Sequence, residues 1–441
     1  MLRAAPLIAM IAVMTVASPA ARAAELALPS ASTARFLGVE TCGSSECHGS
    51  AEPWRNATVM MKERQIWQAH DAHAKAYTAL TGKDGQAIGH KMGLADPAQA
   101  EQCLVCHTTF VPAAQRGPKF SLEAGVGCES CHGAGGSFVP THIQPTSKHA
   151  TNIAAGMYPT NNPGARAALC LSCHQGDAVR KVSHQLYGAG HPRLRFELDT
   201  FSVLQPYHFN PDADYRRRKP PASHFRLWAE GQIGAANQLL AQLSAENAAP
   251  HGLFPELSRF DCHACHRGIN NDPNYQPRPG LRAGSLTLND APLIALRALA
   301  KVVAPTQVAA LEKATRELQN SVADPVAHRR ATERLKDIAD QLATDLRARA
   351  EQAGDGQAVA SALLATSRAE APLPFMTAEG VAMALATLSA ADFENQRVSA
   401  AQYQKVNTAL DAAYAALGDE QTYRPTVFAQ ALTAVATALG Q

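Results

Sequence analysis

The sequence predicts a mainly α-helical protein with little sheet, in two unlike parts. Three observations carry this reading. All ten cysteines lie between Cys42 and Cys265, in five blocks that each end in Cys-His, among many short Gly- and Pro-punctuated segments. Beyond residue 280 there is no cysteine, and composition turns to Ala, Leu, Gln and charge. In that second part apolar residues recur at helical spacing between single prolines. The expected organisation is a leader over 1–23, a flexible stretch over 24–35, a Cys/His-rich domain over 36–280 and an α-helical domain over 281–441.

The chain is 441 residues long, enough for two or three domains. It starts "MLRAAPLIAMIAVMTVASPAARAAE", with Arg3 before an apolar run and Ala21 and Ala23 at the two positions that determine cleavage. This pattern reads as a bacterial secretory leader, too short and wrongly flanked for a good membrane span. Its removal takes away Arg3 and Arg22, so the formal charge falls from +2 to 2 − 2 = 0. Such a balance exerts no strong pull on nucleic acid. No later stretch is long and apolar enough to span a bilayer. The expectation is an exported, periplasmic protein that is not an integral membrane protein after cleavage.

Export makes disulfides the first reading of any cysteine. Four blocks argue otherwise: "CLVCH" (103–107), "CESCH" (128–132), "CLSCH" (170–174) and "CHACH" (262–266). Each is C-x-x-C-H, the attachment signature of c-type haem. The spacing has a mechanical reason. Two sulfurs add across the two vinyl groups on one porphyrin edge, and the next residue reaches beneath the ring to place an imidazole on the iron. Disulfides do not require a His after every second Cys. Zinc knuckles would leave four matched histidines unexplained. Cys103, Cys106, Cys128, Cys131, Cys170, Cys173, Cys262 and Cys265 are therefore read as thioether anchors, with His107, His132, His174 and His266 as iron ligands.

The block "CGSSECH" (42–48) has four residues between Cys42 and Cys47, where the others have two. A disulfide hairpin is one reading. The other is a fifth haem site, with the extra residues bulging away from the ring while Cys42 and Cys47 anchor and His48 ligates. Every other cysteine stands in a haem pair, which favours the second. The cofactor expectation is five covalently bound haem c groups, each with iron.

Of the seventeen histidines, five are consumed in the blocks and twelve remain, eleven of them within the Cys-rich part. That surplus suggests a second imidazole for each iron and correspondingly low potentials. His73 lies in "WQAHDAHAKAYTAL", a helical pattern, with His70 one turn earlier as the competing choice. His142 follows a Gly-rich turn after the third block, and His149 comes seven residues later. His184 and His191 are also seven apart, in "VSHQLYGAGHPRLRFEL". His73, His142, His149, His184 and His191 are the expected distal ligands, with His208 in reserve. His263 reads as a polar neighbour of a haem edge, and His90, His224 and His251 as structural or exposed. The basic segment "DADYRRRKPP" reads most simply as a solvated loop, with docking of an acidic redox partner or propionate pairing as the alternative.

The first part thus reads as a multihaem cytochrome c domain and the second as a haem-free α-helical bundle of about six helices. "NNDPNYQPRPG" (270–280) reads as the linker between them. "NDAPLIALRALAKVV" begins like a helix, with Asn289 or Asp290 as cap and Pro292 in the first turn. Pro305, Pro325, Pro374 and Pro425 punctuate the remaining helical patterns.

Several stretches together resemble the cytochrome c-554 family of multihaem cytochromes: "HAKAYTAL", "GLADPAQAEQCLVCH", "GVGCESCHGAGGS", "CLSCH" and "AGHPRLRFELDTF". The similarity covers about residues 36–270. It implies a helical and irregular chain wrapped around closely stacked haems, an electron-transfer role, and distal positions for His73, His142 and His191. The chain departs from the family in the long spacing of its first block and in carrying one block more than the name-giving member. The pentahaem nitrite reductases have a catalytic motif with Lys in place of His, whereas all five blocks here end in His. The reading is an electron carrier that exchanges electrons with periplasmic or membrane-bound redox proteins. The alternative is a multihaem oxidoreductase with one open-site haem acting on a small nitrogen or sulfur compound.

Overall fold

A computed structural model describes residues 26–52, 61–205, 207–209, 213–219, 221–248, 255–266, 278–281, 286–352 and 354–441. The leader over 1–23, His251 and most of the 270–280 linker lie outside the described residues. Among the described residues the fold is mainly α with no sheet. Only two isolated bridges occur there, Phe36 with Arg116 and Phe260 with Leu288.

The first part is built of short helices of four to twelve residues, joined by turns, up to the helix Leu198–Leu204. Its apolar side chains gather into small separate clusters, such as Phe36, Val111 and Ala134, or Leu80, Ala98 and Leu104. So little polypeptide core cannot hold this much chain together unless another apolar body shares the interior.

The second part is different. Among the described residues, seven helices run from Ala291–Val303 to Pro425–Ala438 around one continuous core. The prolines sit where helices begin: Pro325 and Pro425 open theirs, and Pro374 is the N-cap of Phe375–Glu394. Asp290 is the N-cap of the first helix, but its carboxylate is used elsewhere. It binds Arg278 at 2.8 Å and Gln319 at 2.9 Å.

An eighth helix, His224–Ala248, joins this core from within the Cys-rich stretch. Phe225, Ala229, Ile233, Ala236, Leu240 and Leu243 recur at three- and four-residue spacing and are buried in the bundle. Its other side packs on the helix Pro163–His174, which carries the fourth block. There Leu227 and Ala235 meet Ala167 and Leu171. Gly234 permits that close crossing, because a Cβ there would stand 3.0 Å from the Ala167 Cβ. Burial on two sides erases the one-sided pattern that marks a surface helix.

Charged contacts reinforce the junction. Arg347 grips Glu230 through two bonds of 2.8 and 2.7 Å. Arg193 and Arg195 bind opposite oxygens of Glu379 at 2.9 and 3.0 Å. His224 places Nδ1 2.8 Å from Asp199 and Nε2 2.8 Å from Glu394. The hydrogen bond to Asp199 lifts this histidine from its ordinary 6.5 to about 9. Since the folded value lies above the unfolded one, the stabilisation is complete below pH 6.5 and is lost as pH rises through about 9. Unfolding measured across that window should show a loss on the order of 2 kcal/mol, given partial solvent access to the ring. A His224→Gln variant should show a flat profile there.

Candidate haem-binding sites

The five blocks share a local geometry. Three form helical turns within Glu101–His107, Cys128–His132 and Pro163–His174. On a helix, residues i, i+3 and i+4 share one face, so both sulfurs and the imidazole project together. Asn162 caps the third of these helices by accepting from the Ala165 N–H at 3.0 Å, with Pro163 in the first turn. The fifth block is a 3₁₀ turn over Cys262–Ala264, closed by the His266 N–H donating to the Cys262 carbonyl at 2.7 Å.

The first block makes the corresponding closure despite its length. The helix Val39–Cys42 stops at Gly43, and the His48 N–H donates to the Cys42 carbonyl at 3.1 Å. The added length is taken up in the turn between them, where Ser45 and Glu46 are exposed. None of the ten cysteines is in a disulfide.

Each block histidine faces a different second histidine. His48 lies opposite His142 at 6.0 Å between ring centres, and His73 opposite His174 at 6.1 Å. His107 faces His191 at 6.3 Å, His132 faces His208 at 6.1 Å, and His266 faces His184 at 6.0 Å. A ring nitrogen lies roughly 1.2 Å from its ring centre and binds a first-row metal at about 2 Å, so two imidazoles on one iron stand about 6.4 Å apart. The five gaps match that requirement. The residues present therefore fit an iron held between two imidazoles and anchored by the neighbouring sulfurs.

Hydrogen bonds orient several of these rings. His107 Nδ1 lies 2.8 Å from the Ala76 carbonyl and His191 Nδ1 2.8 Å from the Pro192 carbonyl. His73 Nδ1 lies 2.9 Å from Asp71, and His48 Nδ1 makes an ion-pair contact with Glu63 at 3.2 Å. A proton held at Nδ1 leaves Nε2 with its lone pair free for a metal. Burial pushes His132 and His174 down to about 4, which keeps those rings neutral and able to ligate. Burial pushes the Cys131 and Cys170 thiols up to about 12, unlike the thiolates of a zinc cage. Among the described residues no three His, Cys, Asp or Glu side chains converge on a common metal position.

His149 sits elsewhere. It begins the helix His149–Ala154, is exposed, and places Nε2 3.2 Å from Asn161. The position opposite His132 is held instead by His208, in the non-helical stretch after Leu198–Leu204. His70 and His90 are exposed. His263 is buried with its ring 5.0 Å from that of Tyr423 in the bundle.

The blocks contact one another in a definite order. Cys42 lies within electrostatic range of Cys128, joining the first site to the third. Cys131 lies within electrostatic range of Cys170 and Cys173, joining the third to the fourth. Cys106 lies within electrostatic range of Cys173, joining the fourth to the second. Arg180 tightens that contact, donating to the Val105 carbonyl at 3.1 Å and to Asp177 at 2.6 Å. The short segment from His184 to His191 faces the fifth block with one end and the second with the other. The row is thus first, third, fourth, second, fifth. Its last member abuts the bundle, where Cys262 Sγ lies 3.9 Å from Met376 Sδ. A cleft partly open to solvent runs from His174 past Tyr187 and Arg193 to Met376.

Two acidic residues that sequence reasoning passed over organise these sites. Glu129, inside the third block, is buried and accepts from three backbone N–H groups: Leu37 at 2.8 Å, Gly38 at 2.8 Å and Gly135 at 2.7 Å. Gly38 needs to be glycine here, with φ of 90° and the Lys119 carbonyl filling the space of a Cβ. Asp71 is buried beside His73. Burial by itself would raise its carboxyl, but hydrogen bonds from His73 and Gln205 outweigh that and hold it at about 2. The spacing D-x-H, with Asp71 as N-cap of the Ala72–Lys75 turn, is the one local signal that could have marked it.

Attachment blocks on helical turns, each with a facing imidazole at the span of one iron, define a c-type cytochrome. Residues 41–133, which include the first three blocks and His73, match the family model of cytochrome c554 and c-prime. This segment is similar to that family, whose members carry covalently bound haem c and transfer electrons. Neither a curated protein nor a solved structure matches the chain. No helix among the described residues is long and apolar enough to cross a membrane.

Proposed function

We propose that the protein is a periplasmic pentahaem cytochrome c that carries electrons between periplasmic or membrane-bound redox proteins. The observation that supports this most directly is the set of five separate imidazole pairs at 6.0 to 6.3 Å. The anchors are Cys42/Cys47, Cys103/Cys106, Cys128/Cys131, Cys170/Cys173 and Cys262/Cys265. The axial pairs are His48/His142, His107/His191, His132/His208, His174/His73 and His266/His184. His208, the reserve in the sequence reading, replaces His149 in the set of five distal ligands. Haem c bound there supplies one-electron redox chemistry. The chain supplies ligand identity, spacing, burial and local charge. A facing histidine at every block favours a carrier over an oxidoreductase with an open iron. The periplasmic assignment rests on the leader-like residues 1–23.

Denaturing mass spectrometry and electron paramagnetic resonance of the oxidised protein test this together. The expected mass is that of the cleaved chain plus five haems, and the expected spectrum is entirely low-spin. It should also divide in two. The ring planes are nearly parallel in His48/His142 (16°) and His184/His266 (25°). They are crossed in the other three pairs, at 71°, 84° and 88°. Parallel rings act on the same iron d orbital and split the pair; crossed rings leave the two nearly degenerate. Two rhombic and three highly anisotropic signals are expected. A mass for four haems and a Cys42–Cys47 disulfide would overturn the count, and a stoichiometric high-spin centre would overturn the carrier reading.

A further inference from the structure

Asp71 is 3% exposed, and its two oxygens take three donors. Oδ1 accepts from the His73 backbone N–H at 2.9 Å and lies 2.9 Å from His73 Nδ1. Oδ2 accepts from Gln205 at 2.9 Å. Among the described residues no other axial histidine has such a partner. His107 and His191 bond neutral carbonyls, and His142 Nδ1 lies 3.3 Å from the Asn152 amide. His48 has Glu63, but at 3.2 Å and with that carboxylate 19% exposed against 4% for Asp71. A buried carboxylate on the far nitrogen of a metal-bound imidazole makes the ring a more basic ligand. Its negative charge, little screened by solvent, also favours the more positive oxidised iron.

We propose that Asp71, acting through His73, sets the fourth site to the lowest reduction potential of the five. This rests on the axial pairing given above. Because the fourth site lies between the third and the second, the low-potential position falls inside the row. The first and third sites then stand on one side of it, and the second and fifth on the other. Asp71 is a positioning and charge-supplying residue that does not itself touch the iron.

The test uses the full haem-loaded protein in spectroelectrochemical titration, with parallel paramagnetic resonance. In Asp71→Asn the lowest midpoint should rise by at least a tenfold change in its reduction equilibrium, about 59 mV for one electron. The third site, whose His208 and Cys131 also lie within range of the Asp71 charge, should rise by less, the other three midpoints should hardly move, and all irons should stay low-spin. Asp71→Glu should restore most of the wild-type value. Gln205→Leu, which removes a competing donor from the carboxylate, should shift the same midpoint the opposite way. An unchanged lowest midpoint, or an equal shift of all five, would overturn the proposal. So would a new high-spin iron in Asp71→Asn, since Asp71 would then only hold His73 in place. Failure of the axial pairing itself would register separately, as a high-spin iron already present in the wild type.

Discussion

Replacement of His208 by alanine should turn one low-spin iron into a high-spin iron that binds carbon monoxide or cyanide, while His149→Ala leaves all five low-spin. His208 stands 6.1 Å from His132, and its ring meets Phe209 edge-on at 5.5 Å. Phe209 in turn stacks on Tyr215 at 4.6 Å, so a small aromatic group steadies the histidine on a non-helical segment. Removing the ring leaves His132 as the single imidazole of that site, and a five-coordinate iron accepts small ligands. His149 faces solvent and Asn161, so its loss changes no axial position. The readout is ligand-induced absorbance change per mole of protein. If His149→Ala opened a site and His208→Ala did not, the axial assignment at the third block would have to be reversed.

Glu129→Ala should lower stability by roughly 3 to 6 kcal/mol, because it strands the N–H groups of Leu37, Gly38 and Gly135 with no acceptor. Each orphaned buried donor costs about 1 to 3 kcal/mol, and a typical domain has only about 5 to 15 to lose. The effect should centre on the contact between the first and third blocks, since Leu37 and Gly38 lead directly into the helix that ends at Cys42. Glu129→Gln should be intermediate. It keeps one acceptor oxygen but points an amide donor at other donors. Urea unfolding of the haem-loaded protein, followed by haem absorbance, provides the measurement. A wild-type midpoint in the alanine variant would show that water or rearrangement satisfies these groups.

The helical bundle was legible because its signals are local. Proline positions and apolar spacing after residue 290 define helix starts without reference to anything distant. The helix His224–Ala248 was harder to read, because it serves the bundle on one side and the helix of the fourth block on the other. The attachment blocks were legible for a different reason. Covalent chemistry demands Cys, Cys and His within a few residues, whatever the fold around them. In the proposed reading "CGSSECH" follows the same logic, since the closure of His48 onto Cys42 tolerates extra residues in the exposed turn between them.

Distal histidines obey no such local rule. His142 and His149 are seven residues apart on adjacent helices, and only the packing of the chain decides which of them faces a block. Glu129 and Asp71 read as ordinary charged residues until distant backbone groups or a neighbouring imidazole close around them. The sequence by itself therefore determined the class of cofactor, the anchoring residues that we propose and the helical character of both parts. The tertiary structure decided which histidine meets which block, the order of the sites and where a buried carboxylate falls. The physical reason is range: thioether attachment and helix periodicity are set within one or two turns of chain, whereas an axial pair and a buried charge need segments brought together across more than a hundred residues.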